Sequence, residues 1–317
     1  MMQKRISLVV LLLLALIVAG CSGGADAAPG QAAAERAADW LVATHQNDDG
    51  GFTGFSAGAN QAPSDVVGTI DALPALAAGG DAVPALDYLR GNGPALQAMA
   101  AEDGGQAGKI VLAMRAAGVD PANFEGHDYT AALVAHLGPD GAFAGDSYKH
   151  ALAMLGMAAV GQEIPATAID WLESNQSAGG SWDDGFGTLD NADATGMAIM
   201  ALLAAGRSPD DAAVAAAVDF LTTSQAAEGG WSYGAGLPVS ANSTAVVVQA
   251  LIALGIDPTA TDGSWAKTGR SPLDALLAWQ GESGAFQADF GDGPFDDFYS
   301  TVQAIPAAAG RALPPEG

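Results

Sequence analysis

Cysteine is almost missing from this chain: of 317 residues only Cys21 is one. With a single thiol no intrachain disulfide forms, and zinc–thiolate clusters are excluded with it. Bases are scarce too, 11 Lys and Arg against 36 Asp and Glu. Aromatics make up 7% of the chain. Strand-like alternation of apolar and polar residues is absent, and Ala-rich stretches such as 212–217 favour closely packed helices over sheet. Four histidines occur, His45, His127, His136 and His150, and none shows the short helical spacing that sets two imidazoles on one metal. His150, beside Lys149 on an expected inner helix, is the one of interest, although a satisfied surface histidine explains it as well. No metal site and no cofactor is expected.

The one long apolar run is at the start. Lys4 and Arg5 precede Ile6 to Val18, and Ala19-Gly20-Cys21 closes the run. This reads as an export signal, too short and wrongly flanked for the anchor of a mature protein. Val18-Ala19-Gly20-Cys21 resembles the lipobox of bacterial lipoproteins, which implies cleavage before Cys21 and lipid on its sulfur; an ordinary signal peptide with a stray Cys is the alternative. The resemblance implies an exported protein held to the outer face of a membrane through several acyl chains. Residues 22–35 are small and polar without apolar period and read as a tether, so that residues 1–20 are signal, 21–35 tether, 36–310 one domain and 311–317 tail.

Lys4 and Arg5 lie in the signal, so nine bases face 36 acids in the mature chain, a formal charge of about −27. Nucleic acid and anionic membrane surfaces repel such a protein. The charge reads as a solvated acidic surface, with a preference for cationic ligands as the other reading.

What the chain does have is a repeat. Gln176, Gly180 and Trp182 form a Gln-x-x-x-Gly-x-aromatic turn, repeated by Gln225, Gly229 and Trp231, by Gln46, Gly50 and Phe52, and by Gln280, Gly284 and Phe286. Asp170, Asp219 and Asp274 each stand six residues before the Gln of their unit. Successive turns lie 49 and 55 residues apart, and the 130 residues from Gln46 to Gln176 leave room for two degenerate copies near 85–105 and 129–143, six units in all. Second helices of the units end alike, with Gly and then Pro, at Gly118/Pro121, Gly206/Pro209 and Gly255/Pro258. Units that bury their faces only against neighbours make one continuous core, so one domain is expected despite the length.

These turns resemble the prenyltransferase and squalene-cyclase repeat of the terpenoid-cyclase-like toroids. The resemblance implies an all-α fold, an α/α toroid of six helix pairs, with inner helices near 65–77, 109–117, 148–160, 193–205, 242–254 and 297–309 around a cavity. Tyr148, Asp193, Asn242 and Asp297 each stand 13 residues before the Gly that closes their helix. Such a ring is either a ligand site at the mouth of the cavity or a set of plain helix caps.

Within that superfamily, squalene- and hopene-type cyclases protonate substrate with the central acid of Asp-x-Asp-Asp-Thr. Here the stretch is Asn191-Ala192-Asp193-Ala194-Thr195, which keeps the central Asp193 as a candidate general acid but replaces its acidic neighbours, so Asp193 is not expected to hold a proton near neutral pH. Cyclases also shield cations with aromatic faces, and only Tyr148, Phe298 and Tyr299 fall on the expected inner helices. Asp296-Asp297 lacks the further acid that would hold magnesium diphosphate. Asp183-Asp184 and the acids from Asp289 to Asp297 meet no calcium-loop spacing and read as solvated turn carboxylates. The chain therefore reads as a non-catalytic, lipid-anchored binding toroid for a small molecule or a surface partner protein, similar to the cobalamin carriers but with no lid domain expected after the last helix. A degenerate squalene-type cyclase using Asp193 is the alternative.

Overall fold

In the computed structural model, residues 29–54, 58–188 and 190–315 are described. The chain runs through Pro29–His45 (α1), Val66–Gly79 (α2), Val83–Gly91 (α3), Gly93–Ala100 (α4), Gly104–Ala116 (α5), Tyr129–Val134 (α6), Ser147–Ala159 (α7), Ala166–Ser174 (α8), Ala192–Ala204 (α9), Ala212–Ser224 (α10), Ala241–Ala253 (α11), Pro272–Leu277 (α12) and Phe298–Ala308 (α13). Six of these make a closed inner ring: α2, α5, α7, α9, α11 and α13 each pack on the next, and α13 returns to α2. The α/α toroid is thus formed. The described residues are otherwise helix and turn, with one short hairpin of Gln287–Ala288 and Phe295–Asp296.

Local chemistry explains why each inner helix begins where it does. Asp65, Asp103, Asp146, Asn191, Ser240 and Asp297 are the N-caps, each accepting a hydrogen bond from the backbone N–H three residues on. Four residues after four of these caps stands a Thr. Thr69, Thr195, Thr244 and Thr301 each accept from the backbone N–H of their turn aromatic, Phe52, Trp182, Trp231 and Phe286, at 3.0 to 3.2 Å. The turn is thereby tied to the helix that follows it.

In three of the four turns the Gln ties the turn to the next unit, while Gln46 bonds only within its own turn, to Gly50 O. Gln176 Nε2 donates to Gly180 O and to Ala213 O of α10, Gln225 Nε2 to Gly229 O and Trp265 O, and Gln280 Nε2 to Gly284 O and Ala33 O of α1. The last of these joins the sixth unit to the first. Gly180 needs its glycine: φ is +88°, and a Cβ would sit 2.2 Å from Ala216 O. Trp182, Trp231, Phe52 and Phe286 are all buried, and each Trp donates its Nε1–H to a carbonyl of the preceding helix, Leu172 O or Leu221 O. The turns are packed between units as expected.

Two boundaries differ from expectation. The region expected as a tether to residue 35 is helical from Pro29, and Ala33 and Ala34 are buried against the ring. The second inner helix starts at Gly104 rather than at 109, because Asp103 caps it. No helix among the described residues is long and apolar enough to cross a membrane. Cys21 and the signal lie outside the described residues.

Candidate functional site

The inner ring encloses a cavity of about 930 Å³, within the size range of small-molecule sites. Along α9 the helical spacing sets Asp193, Met197, Met200 and Ala204 on one stripe, and the last three line the cavity. Met and aliphatic side chains make much of the wall. Tyr148, Gln249, Gln303, Asp71 and Lys109 are polar exceptions, and residues 310–315 cross the end where the inner helices finish.

The ring expected at the mouth is only partly assembled. Tyr148, Asp193 and Asn242 all occupy the second residue after their caps, Asp146, Asn191 and Ser240. None of the three is a cap. Asp297 is one, so it stands two residues earlier in its helix and donates nothing to that ring; its carboxylate accepts from Ser300 N at 2.7 Å. The cause is helix length, since α13 has 11 residues where α7, α9 and α11 have 13, and alignment on the closing Gly shifts it. Tyr299 is the α13 residue at the ring position.

Asp193 is only 5% exposed. Its Oδ2 accepts from Asn242 Nδ2 at 3.2 Å, and its Oδ1 has no protein partner among the described residues. Burial pushes its carboxyl up to about 7, opposed by the Ser243 hydroxyl and reinforced by the charge of Asp184. This corrects the expectation from the flanking residues: the proton is held by desolvation, without an acidic neighbour in the motif. Burial raises the Tyr148 hydroxyl as well, with the charges of Asp193 and Asp71 adding to it.

Across the ring, Lys109 Nζ on α5 lies 2.5 Å from Asp71 Oδ1 on α2, and the Asp71 side chain is 9% exposed. Burial raises the Asp71 carboxyl, and Lys109 offsets this only in part. Sequence reasoning missed the pair. A lone charge within an otherwise apolar inner helix was the available signal, as were Gln249 and Gln303.

His150 is buried, not a surface residue. It stands where four other units have Thr: Nδ1 accepts from Phe143 N at 3.2 Å, and Nε2 contacts Ala168 O at 2.9 Å, which makes it the donor. Burial pushes the ring down to about 4, so it is neutral. Asp184 is likewise buried rather than solvated. Burial works to raise its carboxyl, but the Tyr233 hydroxyl and the Phe186 and Thr188 N–H groups outweigh it and hold it below the usual range. Among the described residues no group of three or more acids, His or Cys is placed to hold a metal.

The squalene-hopene cyclase C-terminal domain model matches residues 131–266, and the prenyltransferase α/α toroid domain model matches residues 2–110. This is a repeat protein of the terpenoid-cyclase-like α/α toroid superfamily. Among solved toroids, the type II terpene cyclase MstE from Scytonema, in its apo form, superposes with a TM-score of 0.62 at 17% identity, over 88% of this chain and 98% of that one. A protein from Actinoplanes gives 0.60 at 16%, over 89% and 98%. Haptocorrin in complex with Cbi gives 0.57 at 12%, over 89% of this chain and 67% of that one. No curated protein matches by sequence. At these identities the likeness establishes the toroid and leaves its chemistry to the residues of the cavity.

Proposed function

We propose that this toroid binds a small organic molecule in its central cavity without transforming it, outside the cytoplasm and tethered to a membrane through lipid on Cys21. The observation that carries the reading is the lining of the cavity, in which Tyr148 is the aromatic residue among Met, aliphatic and amide side chains and one ion pair. Polyene cyclisation runs through cations that aromatic faces stabilise. Toroids of this shape serve both ends: MstE has been captured with geranylgeranyl dihydroxybenzoate as substrate, and haptocorrin with Cbi.

One observation favours the second reading, a type II cyclase. Asp193 is a carboxyl held protonated to about pH 7 on the stripe that faces the cavity, the state a proton donor needs. Incubating purified protein with squalene and with C20 to C30 isoprenoids separates the two. No cyclised product is expected; a product that disappears in Asp193→Asn would establish the cyclase. Native mass spectrometry of protein from its own membrane is expected to show a co-purifying small molecule. Cys21→Ser is expected to leave the membrane fraction, since the thioether needs the thiol, and retention there would refute the anchor.

A further inference from the structure

The two ends of the central cavity are closed by different means. At the cap end, Tyr148 of α7 and Gln303 of α13 come from opposite sides of the ring of six, and the Tyr148 hydroxyl meets the Gln303 side chain across it. Beside them Asn242 Nδ2 on α11 donates to Asp193 Oδ2 on α9. Each of these groups sits on a helix packed between two others, so this closure is part of the ring itself.

At the other end the closure is a single strand of chain. Five of the six inner helices stop alike: Gly118, Gly161, Gly206, Gly255 and Gly310 take positive φ, and the next residue donates its N–H to the carbonyl five residues back. After the first four of these turns the chain goes on to α6, α8, α10 and α12. After the fifth it crosses the ring instead, and Ala312 to Pro315 line the cavity.

Packing alone holds this strap down. Ala312 and Leu313 are half-buried against the core, residues 312–315 make no hydrogen bond to another described residue, and Pro314 and Pro315 have no N–H to give. A segment with few buried apolar groups and no backbone bonds opens locally without unfolding what it lies on.

We propose that residues 310–315 are the lid of the cavity, that a guest enters and leaves by the end where the inner helices finish, and that lifting of the strap sets how fast it does so. This deepens the binding reading above and rests on it. The walls decide which molecule fits, and the strap decides how long it stays.

The test is thiol accessibility in the full chain carrying Cys21→Ser, which has no other cysteine. One thiol is placed on the cavity wall by Met197→Cys or, as a control, on an exposed turn by Glu282→Cys. Its reaction with 4,4′-dithiodipyridine is followed by absorbance. Ending the chain after Arg311, or Leu313→Asp, which sets a charge where an apolar side chain packs, is expected to speed reaction at the wall thiol at least tenfold and leave the control unchanged. Leu313→Asp carries the test alone if the shortened chain does not fold, as read by circular dichroism. An unchanged rate in the folded strap variants overturns the lid, as does a wall thiol that reacts as fast as the control with the strap intact. Tyr148→Ala speeding the reaction where the strap variants do not would place the entrance at the cap end and overturn it too. The expected rates together with turnover of an isoprenoid would keep the lid and overturn the binding reading.

Discussion

Replacing Asp193 by Asn isolates one buried proton. The folded chain holds it to about pH 7, whereas an unfolded Asp releases it near 3.8. Between those values the folded state binds more protons than the unfolded one, so this residue lowers stability as pH rises, with no effect below 3.8 and the full effect above 7. At 1.36 kcal/mol per unit the full effect is on the order of 4 kcal/mol. The amide cannot ionise and escapes that loss, but it strands one N–H where Oδ1 now sits, at about 1–3 kcal/mol. Asp193→Asn is therefore expected to be less stable than wild type at pH 4 and more stable by about 2 kcal/mol at pH 8. Urea unfolding of both proteins, refolded beforehand so that nothing co-purified remains, reads the difference by circular dichroism at several pH values. Other carboxylates titrate alike in both proteins and cancel. A difference that stays constant from pH 4 to 8 would mean that the carboxyl is ionised throughout, and the protonated interior would be refuted.

Trp182→Ala or Trp231→Ala removes a buried indole and its bond to a helix carbonyl, and a loss of about 3–5 kcal/mol is expected, read as a lowered Tm; a wild-type Tm would place these turns outside the packed seam. His150 is expected to titrate by NMR with a midpoint near 4, below the 6.5 of a free ring, so its contribution to stability is present above pH 6.5 and is lost as pH falls from there through 4; a midpoint near 6.5 would contradict its two backbone bonds. Gln280→Ala breaks the links to both Gly284 and Ala33, and a loss of about 1–3 kcal/mol is expected in urea unfolding. Gln46→Ala, which loses the turn bond to Gly50, should cost less, and equal losses would mean that the seam bond carries no weight.

The turns were legible because a Gln amide that closes the turn on a carbonyl four residues on, and in three units reaches a second carbonyl of the next unit, leaves little choice of residue, as does a Gly at positive φ, so the pattern survives in four units. Register within the inner helices was misread for a concrete reason. The closing Gly moves with helix length, whereas the cap and the Thr four residues later do not, and alignment of Asp65/Thr69, Asn191/Thr195, Ser240/Thr244 and Asp297/Thr301 would have put Tyr299, not Asp297, in the ring. That same alignment shows His150 in a threonine's place. The protonation of Asp193 was beyond local reading, since what holds the proton is burial by other helices. The Asp71–Lys109 pair joins residues 38 apart on two helices, and only the packing of α2 on α5 brings them together.

The bond from Gln280 to Ala33 has a consequence for how the molecule melts. Linear arrays of repeats have terminal units that lack one neighbour and fray first. Here α1 packs on α13 and α12, and α13 packs on α2, so the first and last units have as many neighbours as those in the middle. Amide exchange in α1 and α13 should then be as slow as in α7 and α9, and loss of any one unit opens the whole circumference instead of shortening a stack.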